Sequence, residues 1–468
     1  MSIGIHGSPV DSGARSGVPS LLIRGGRVWQ NGRLREADIL VREGRIAAVG
    51  QVGETSEHVE SLDARGLAIL PGFIDVHTHI DDRIGRFTLA DDFSSGTRCA
   101  VENGITTLGT FVTASGDIPL QTAFASMTRR AAGNLHCDLA LHITPVRFDD
   151  AGWRSIDEIL ERGVRTMKLY TTYRQAGIYS DYDQIERVFA TLGSRLIRVL
   201  VHCEDDMLLS RAAAEITLWN QPLSHAQARP VAAEVAGIRA VLERAEAQHA
   251  RLHIVHVSTP EGADLVGAAK RNLDVTCETA PQYLTFDTGW LEREDGHRWI
   301  CSPPLRSPAL RVELVQRALQ GSFDLFATDH CAFRKADKDS GKDDCRLVPN
   351  GLPGIGALPH VIYRLFQKAG GDGLFALATH LSENPARMLG LFPRKGSVSV
   401  GADADLVFLA PGGPKRPVRS SMADTYEPYE GMASALTIQR VLLRGVPVVE
   451  NEKLRDPGSS RGACLWET

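Results

Sequence analysis

The chain has 468 residues, 43% of them hydrophobic and 23% charged, with a formal net charge of −5. These are the values of an ordinary globular protein, and they exclude a disordered, collagen-like or coiled-coil chain. Mild acidity argues against a nucleic-acid partner, which calls for a concentrated basic patch, and no run approaches 18 uninterrupted apolar residues, so no membrane span is expected.

Residues 1–19 are rich in Gly, Ser and Pro, lack the basic start and apolar stretch of an export signal, and read as a loose tail. From Leu21 to Gly50 short alternating runs are punctuated by Asn31-Gly32 and Glu43-Gly44, the dipeptides of tight hairpins. A similar pattern returns in ADLVFLA and QRVLLRGVPVVEN. Residues 20–68 and 396–455 are therefore expected to build one small β-sandwich domain, with 456–468 as a C-terminal tail. Between them, residues 69–395 repeat a unit of β-branched run, polar turn and helical stretch. The runs fall at 69–79, 105–112, 137–146, 164–173, 196–204, 252–259, 273–281 and 323–330. The intervening segment 231–248 has helical spacing of its apolar residues. Eight such runs predict a closed parallel (β/α)8 barrel. An open doubly wound sheet fits less well, because no Gly-rich phosphate loop follows the first run. The eight cysteines (Cys99, Cys137, Cys203, Cys277, Cys301, Cys331, Cys345 and Cys464) have no CxxC spacing and read as reduced thiols of a cytoplasmic protein.

Barrel active sites gather where strands end, so the polar residues closing these runs carry the information. His77 and His79 close the first run with the two-residue spacing that places both rings on one face of a strand. His202 ends the fifth run, His256 belongs to the sixth and Asp329 to the eighth, while Lys168 lies inside the apolar run TMKLY, where an ammonium is costly. Imidazole and carboxylate are the ligands that suit Zn²⁺ and its neighbours. Residue by residue, plainer readings stand beside this one: His202 as a hydrogen-bonded core histidine, Lys168 as a side chain that snorkels or pairs with an acid.

The segments PGFIDVHTHID (71–81), ADDFSSGT (90–97), MKLYTTY (167–173), HVST (256–259), ETAPQYL (278–284) and CSPPLR (301–306) resemble the amidohydrolase superfamily. So do TDHCAF (328–333), GKDDCRLVPNGLPG (341–354), NPARMLGLFPRKG (384–396) and GADADLV (401–407), and the ordered set is similar to the hydantoinase and dihydropyrimidinase branch over roughly residues 20–450. The resemblance implies a Lys168 carboxylated by CO₂ that bridges two divalent ions, zinc first among the candidates. His77, His79, Lys168 and Asp329 would hold one ion, and Lys168, His202 and His256 the other. It further implies hydrolysis of a small cyclic amide such as a hydantoin or dihydropyrimidine, with Asp329 as acid and base. Tyr173 would donate to the developing oxyanion, and Ser302 and Asn350 would hold the imide or ureide edge. Relatives of this kind are homo-oligomers, commonly tetramers or dimers.

The chain also departs from the pattern. Asp82-Arg83-Ile84-Gly85-Arg86-Phe87 stands where hydantoinase-like chains usually carry Met-Pro-Phe-Gly, and Arg83 or Arg86 is expected to favour a polar or anionic substituent on the ring. Gly351 to Leu358 replaces a stretch in which many relatives carry acidic and basic residues. Arg334 to Arg346 mixes five basic with four acidic residues and reads as a solvated loop or a mobile cover over the mouth. Dihydroorotases typically place arginine where this chain has Asp81, and the Asn-Glu-Pro-Gly common in allantoinases is absent. Non-catalytic scaffold relatives usually lack one or more ligand positions, and all six are filled here.

Overall fold

In the computed structural model, which describes residues 20–53, 59–193, 195–410 and 415–466, eight parallel strands form one ring. In chain order they are Phe73–His79, Ile105–Thr113, Asp138–Thr144, Thr166–Tyr170, Arg198–His202, Arg251–Ile254 and Val275–Thr279, then a last run in two pieces, Leu325–Phe326 and His330–Cys331. The first piece pairs with the seventh strand and the second with the first strand, so one interrupted strand closes the barrel. The eight expected runs are these strands, legible because parallel strands covered on both faces are apolar nearly throughout.

Helices wrap the ring, among them Phe93–Glu102, Asp150–Glu161, Tyr182–Leu192, Val231–Ala247, Pro260–Ala269 and Pro308–Leu319. Several start where a side chain satisfies an orphan backbone N–H: Asp92, Asp149, Asp181, Thr259 and Ser307 each accept from the residue three positions on. Their buried faces, such as Ile185, Val188 and Phe189, or Ile238 and Val241, pack with strand residues including Val199, Val201, Leu252 and Ile254. Ile74, Val76, Phe111, Ala140, Leu200 and Leu325 form a separate cluster with Met388 and Leu389. Residues from strands one and five meet only across the lumen, so this cluster fills the barrel.

Both chain ends share a second, nine-stranded sheet. Along it run Lys453–Leu454, Val446–Glu450, Thr437–Leu443, Leu406–Ala410, Ala68–Pro71, Leu21–Gln30, Arg33–Arg42 and Arg45–Gly50, with Glu60–Asp63 beside Leu21–Gln30. The two expected hairpins are present, with Asn31-Gly32 and Glu43-Gly44 all at positive φ. The run read as one strand over 69–79 divides instead: Ala68–Pro71 pairs antiparallel with Leu406–Leu409, and the barrel strand begins at Phe73. Gly72 makes the switch, since a Cβ there would stand 2.0 Å from Thr106 Oγ1. Residues 1–19, the expected loose tail, lie outside the described residues. The C-terminal tail lies along the third barrel strand, where Leu139 N–H donates to Ala463 O, Leu465 N–H donates to Leu139 O, and Trp466 packs edge-on to Phe124. Among the described residues no helix is long and apolar enough to cross a membrane.

Sheet and barrel are joined by buried charge. Lys395 Nζ lies 2.5 Å from Asp138 Oδ2, 2.5 Å from Asp405 Oδ2 and 3.2 Å from Asp403 Oδ2, and Arg444 Nη1 adds a second cation 2.5 Å from Asp138 Oδ1. Removing one partner of such a network strands the others in a medium that solvates them poorly. Lys395→Met is therefore expected to destabilise the fold by about 3–5 kcal/mol, read as a lowered urea midpoint. Asp403→Asn, at the most distant of the three carboxylates, is expected to cost less.

Candidate active site

The six candidate ligands meet at the strand ends. Asp329 lies in the break of the last strand at φ 49°, a left-handed conformation that aspartate tolerates better than most residues. Its Oδ1 stands 3.2 Å from His77 Nε2 and 3.5 Å from His79 Nε2. Thr328, just before it, is tied to Asp75 through its N–H at 3.0 Å and its Oγ1 at 2.6 Å, and His330, just after it, faces Asp91 Oδ2 from Nε2 at 3.1 Å. The strand break is thus pinned on both sides of the carboxylate. Nearby, His202 Nδ1 is 2.9 Å from His256 Nε2, and the ring centres of His77 and His256 lie 5.3 Å apart.

The hydrogen-bond network fixes which ring nitrogens are bare. His77 Nδ1 lies 2.5 Å from Glu278 Oε1, and His202 Nε2 lies 2.7 Å from Glu204 Oε2. Burial works to raise both carboxyls, yet His77 and His253 hold Glu278, and Arg229 and His202 hold Glu204, well below the usual carboxylate range. Burial also lowers His77, His202 and His256, which keeps these imidazoles neutral. An ionised carboxylate only accepts, so each ring proton faces its carboxylate and the opposite nitrogen presents a lone pair. His77 Nε2 then points a lone pair at the Asp329 oxygen, an arrangement that repels unless a cation stands between. Asp329, with Oδ1 beside both His77 Nε2 and His79 Nε2, adds a carboxylate donor to the same space.

Lys168 is fully buried, and its Nζ has no hydrogen-bond partner among the described residues. The ring centres of Phe111 and Tyr170 lie 5.2 and 5.0 Å from it. Burial brings its pKa down to about 8. Its charge is felt by His77, His202, His256 and Asp329 alike, which sets it among both groups of donors. Neutral imidazoles, a carboxylate and an amine without partners are a donor set that fits divalent ions.

The three residues expected on the substrate side also come together. Asn350 Nδ2 donates to Ser302 Oγ at 3.1 Å, and Ser302 is a neighbour of the Tyr173 phenol. Tyr173 occupies a left-handed turn at φ 71° just past the fourth strand, and burial pushes its phenol up to about 12. Side-chain exposure is 18% at His79 and 13% at Asp329 but 2% or less at His77 and His202, so the mouth opens over the first pair.

The departures take definite shapes. Arg83–Ile84 and Phe87–Thr88 form a two-stranded hairpin directly after the histidine pair, with Arg83 and Arg86 exposed. Phe87 packs edge-on to Phe333, four residues past Asp329. Asp81 is bound by Arg130 at 2.6 Å. The segment Arg334 to Arg346, expected as a solvated loop or mobile cover, is anchored: Lys338 is fully buried with Nζ 2.7 Å from Ile300 O, and Asp339 pairs with Arg298 and His297. Residue counting by charge hides such anchors, because a lysine stem and a short helix can bury what composition assigns to solvent.

Sequence reading missed Glu278, Glu204 and Arg229. A signal existed for the first two, since each is a carboxylate at the end of an apolar run, in VTCET and LVHCE. Arg229 stands between helices and has no local signature.

The sequence signature of the amidohydrolase family matches residues 68–448. The chain is 30% identical to the D-hydantoinase of Geobacillus stearothermophilus over 92% of its own length and 93% of that protein. It is 31% identical to the D-hydantoinase of Streptomyces coelicolor, covering 92% of this chain and 94% of that one. Among solved structures, the dihydropyrimidinase from Brevibacillus agri superposes with a TM-score of 0.89 at 28% identity, over 96% of this chain and 98% of that one.

Glu278 sets the bare nitrogen of His77, so Glu278→Gln, free to present its amide N–H₂ instead, is expected to weaken divalent-ion affinity by about 10–100-fold. Competition with a chromogenic chelator measures this, and an unchanged affinity refutes the orienting role.

Proposed function

The chain belongs to the amidohydrolase family, in its hydantoinase and dihydropyrimidinase branch, and from that membership we propose that it hydrolyses a small cyclic amide, a hydantoin, dihydropyrimidine or related ureide or imide, to the N-carbamoyl amino acid or equivalent open acid. The observation that carries this reading is the buried amine of Lys168, without a hydrogen-bond partner among the described residues, in the company of four imidazoles and one carboxylate. A lysine amine kept near neutrality attacks CO₂, forming an N–C bond and losing a proton, and so exchanges unmet donors for two acceptor oxygens. His77, His79, Lys168 and Asp329 would then hold one divalent ion, and Lys168, His202 and His256 a second, with zinc the first candidate. When bound, such ions supply the acidity that yields hydroxide near neutral pH and polarise the amide carbonyl.

The chain's own residues do the rest. Asp329, charged and the more open of the donors along with His79, accepts the proton of the attacking water and returns it to the departing nitrogen. Water is thereby added across the C–N bond, oxygen to carbon and hydrogen to nitrogen. Tyr173 stays protonated at any working pH, its phenol being held up to about 12, and donates to the oxygen on which charge develops. Ser302 and Asn350, joined to each other at 3.1 Å, line the edge where backbone groups hold the ureide. Phe111 and Tyr170 keep bulk water from Lys168. Asp81 stands where dihydroorotases typically carry the arginine that holds the substrate carboxylate, which favours this reading over a dihydroorotase. The assembly is read as a homo-oligomer, a tetramer or dimer, and the eight buried cysteines support a cytoplasmic setting.

The deciding experiment is turnover of dihydrouracil, hydantoin, substituted hydantoins, allantoin, dihydroorotate and cyclic imides by protein reconstituted with metal and bicarbonate. Hydantoin or dihydrouracil opening is expected, with two ions per chain. Lys168→Ala is expected to lose the ions and the activity, whereas Tyr173→Phe should keep the ions and lose about 10²–10³ in kcat, about 2.7–4 kcal/mol. Consumption of allantoin or dihydroorotate alone would transfer the chain to those activities, and an ion-free inert chain would be a scaffold.

Arg83 and Arg86 lie exposed on the hairpin that follows His79 in the chain, and we assign them the ring substituent. Hydantoins bearing a carboxylated side chain are expected to outpace aryl hydantoins in kcat/KM, with Arg83→Ala or Arg86→Ala narrowing that ratio. An aryl preference untouched by both substitutions rejects the assignment.

A further inference from the structure

Beside His202 and the substrate-side tyrosine lies a part-buried guanidinium that the proposed chemistry does not use. Arg229 follows the short helix Leu223–Gln227. Its Nε lies 3.1 Å from Glu204 Oε1 and its Nη2 bonds Oε2, a two-pronged pairing. The same Oε2 faces His202 Nε2 at 2.7 Å. The guanidinium carbon is 5.4 Å from the centre of the Tyr173 ring, which itself lies 5.1 Å from the centre of the His202 ring. Its main chain is fixed too: Arg306 Nη1 donates to Arg229 O at 2.6 Å, and Arg306 also reaches Glu234 Oε2 at 2.9 Å and Ser258 Oγ at 2.9 Å, two residues past His256. One side chain therefore touches the carboxylate behind one candidate ligand and the ring of the candidate oxyanion donor. Through its carbonyl it also reaches the strand end that carries a second candidate ligand.

We infer that Arg229 is a positioning residue that couples His202 to Tyr173, so that ion retention and oxyanion stabilisation are set by one group. The inference rests on the hydrolase reading above. By locking both oxygens of Glu204, Arg229 keeps the His202 proton on Nε2 and leaves Nδ1 bare for an ion. By lying against the Tyr173 ring it braces a left-handed turn that tyrosine adopts only where its surroundings over-determine it. Both tasks need a planar fork. A lysine ammonium could neutralise Glu204, but it would grip one oxygen at a time and present no flat face to the phenol. The alternative is an ordinary buried ion pair, which would affect folding and leave the two sites independent of each other.

The test uses the full chain loaded with zinc and bicarbonate, comparing wild type, Arg229→Met and Arg229→Lys, each with and without Tyr173→Phe. Two quantities are read: zinc affinity by chelator competition, and the factor by which Tyr173→Phe lowers kcat. Arg229→Lys, which keeps the charge, is expected to weaken the zinc that His202 and His256 would hold by about 10–100-fold. In that background the Tyr173→Phe penalty is expected to shrink from about 10²–10³ to less than tenfold, because the phenol is already misplaced. Folded Arg229 variants that hold zinc as wild type does, with an undiminished Tyr173→Phe penalty, would overturn the coupling while leaving the hydrolase intact. If neither Arg229 variant folds, Glu204→Gln serves in its place with the same expected losses, and unchanged zinc affinity and penalty there overturn it equally. A wild type that binds no zinc and opens no ring defeats the hydrolase reading itself, and this inference with it.

Discussion

What the mouth can do depends on which nitrogen of each imidazole is left bare, and that choice is made behind the rings. Glu278 accepts from His77 Nδ1 while it also engages His253 at 3.0 Å, and Glu204 accepts from His202 Nε2 while Arg229 grips it. The two carboxylates remain charged in a buried setting only because each is shared between partners. Opposite ring atoms are used in the two cases, so the two histidines enter the mouth in different orientations. A change of tautomer at either would remove a donor without moving an atom of the backbone.

The barrel makes this arrangement possible through its one irregular strand. A continuous eighth strand would alternate its side chains and point only every second residue inward. Interrupting it after Phe326 frees Asp329 to adopt a left-handed conformation, and the hydrogen bonds of Thr328 to Asp75 keep the break from slackening. Ring closure and placement of Asp329 are therefore one structural event.

How much of this could be read beforehand differs residue by residue. The strand runs and the residues that end them were legible, since a parallel barrel writes its strands as apolar stretches and its function at their ends. Tyr173, Ser302 and Asn350 had no pattern of their own and were reached only by resemblance, yet they adjoin one another here. The hydrogen-bond partners behind the candidate ligands escaped, because a glutamate that orients a histidine looks like any other until the fold brings the two together. The run at 69–79 hid its division, as pairing with Leu406–Leu409 leaves no mark on an apolar tetrad. Charge composition misled at Lys338, where the buried stem and the carbonyl of Ile300 decide the outcome.

The sheet shared by both chain ends carries a consequence for synthesis. Leu70 has Val407 as its neighbour, and Ile69 has Phe408. On the ribosome the strands before the barrel are made first, while the edge partner they require is translated only after every barrel strand has emerged. Until then one edge of the nascent sheet is open, and open edges invite pairing with other chains. The strands that precede the barrel are thus completed only after it, and their open edge needs shelter for the whole interval.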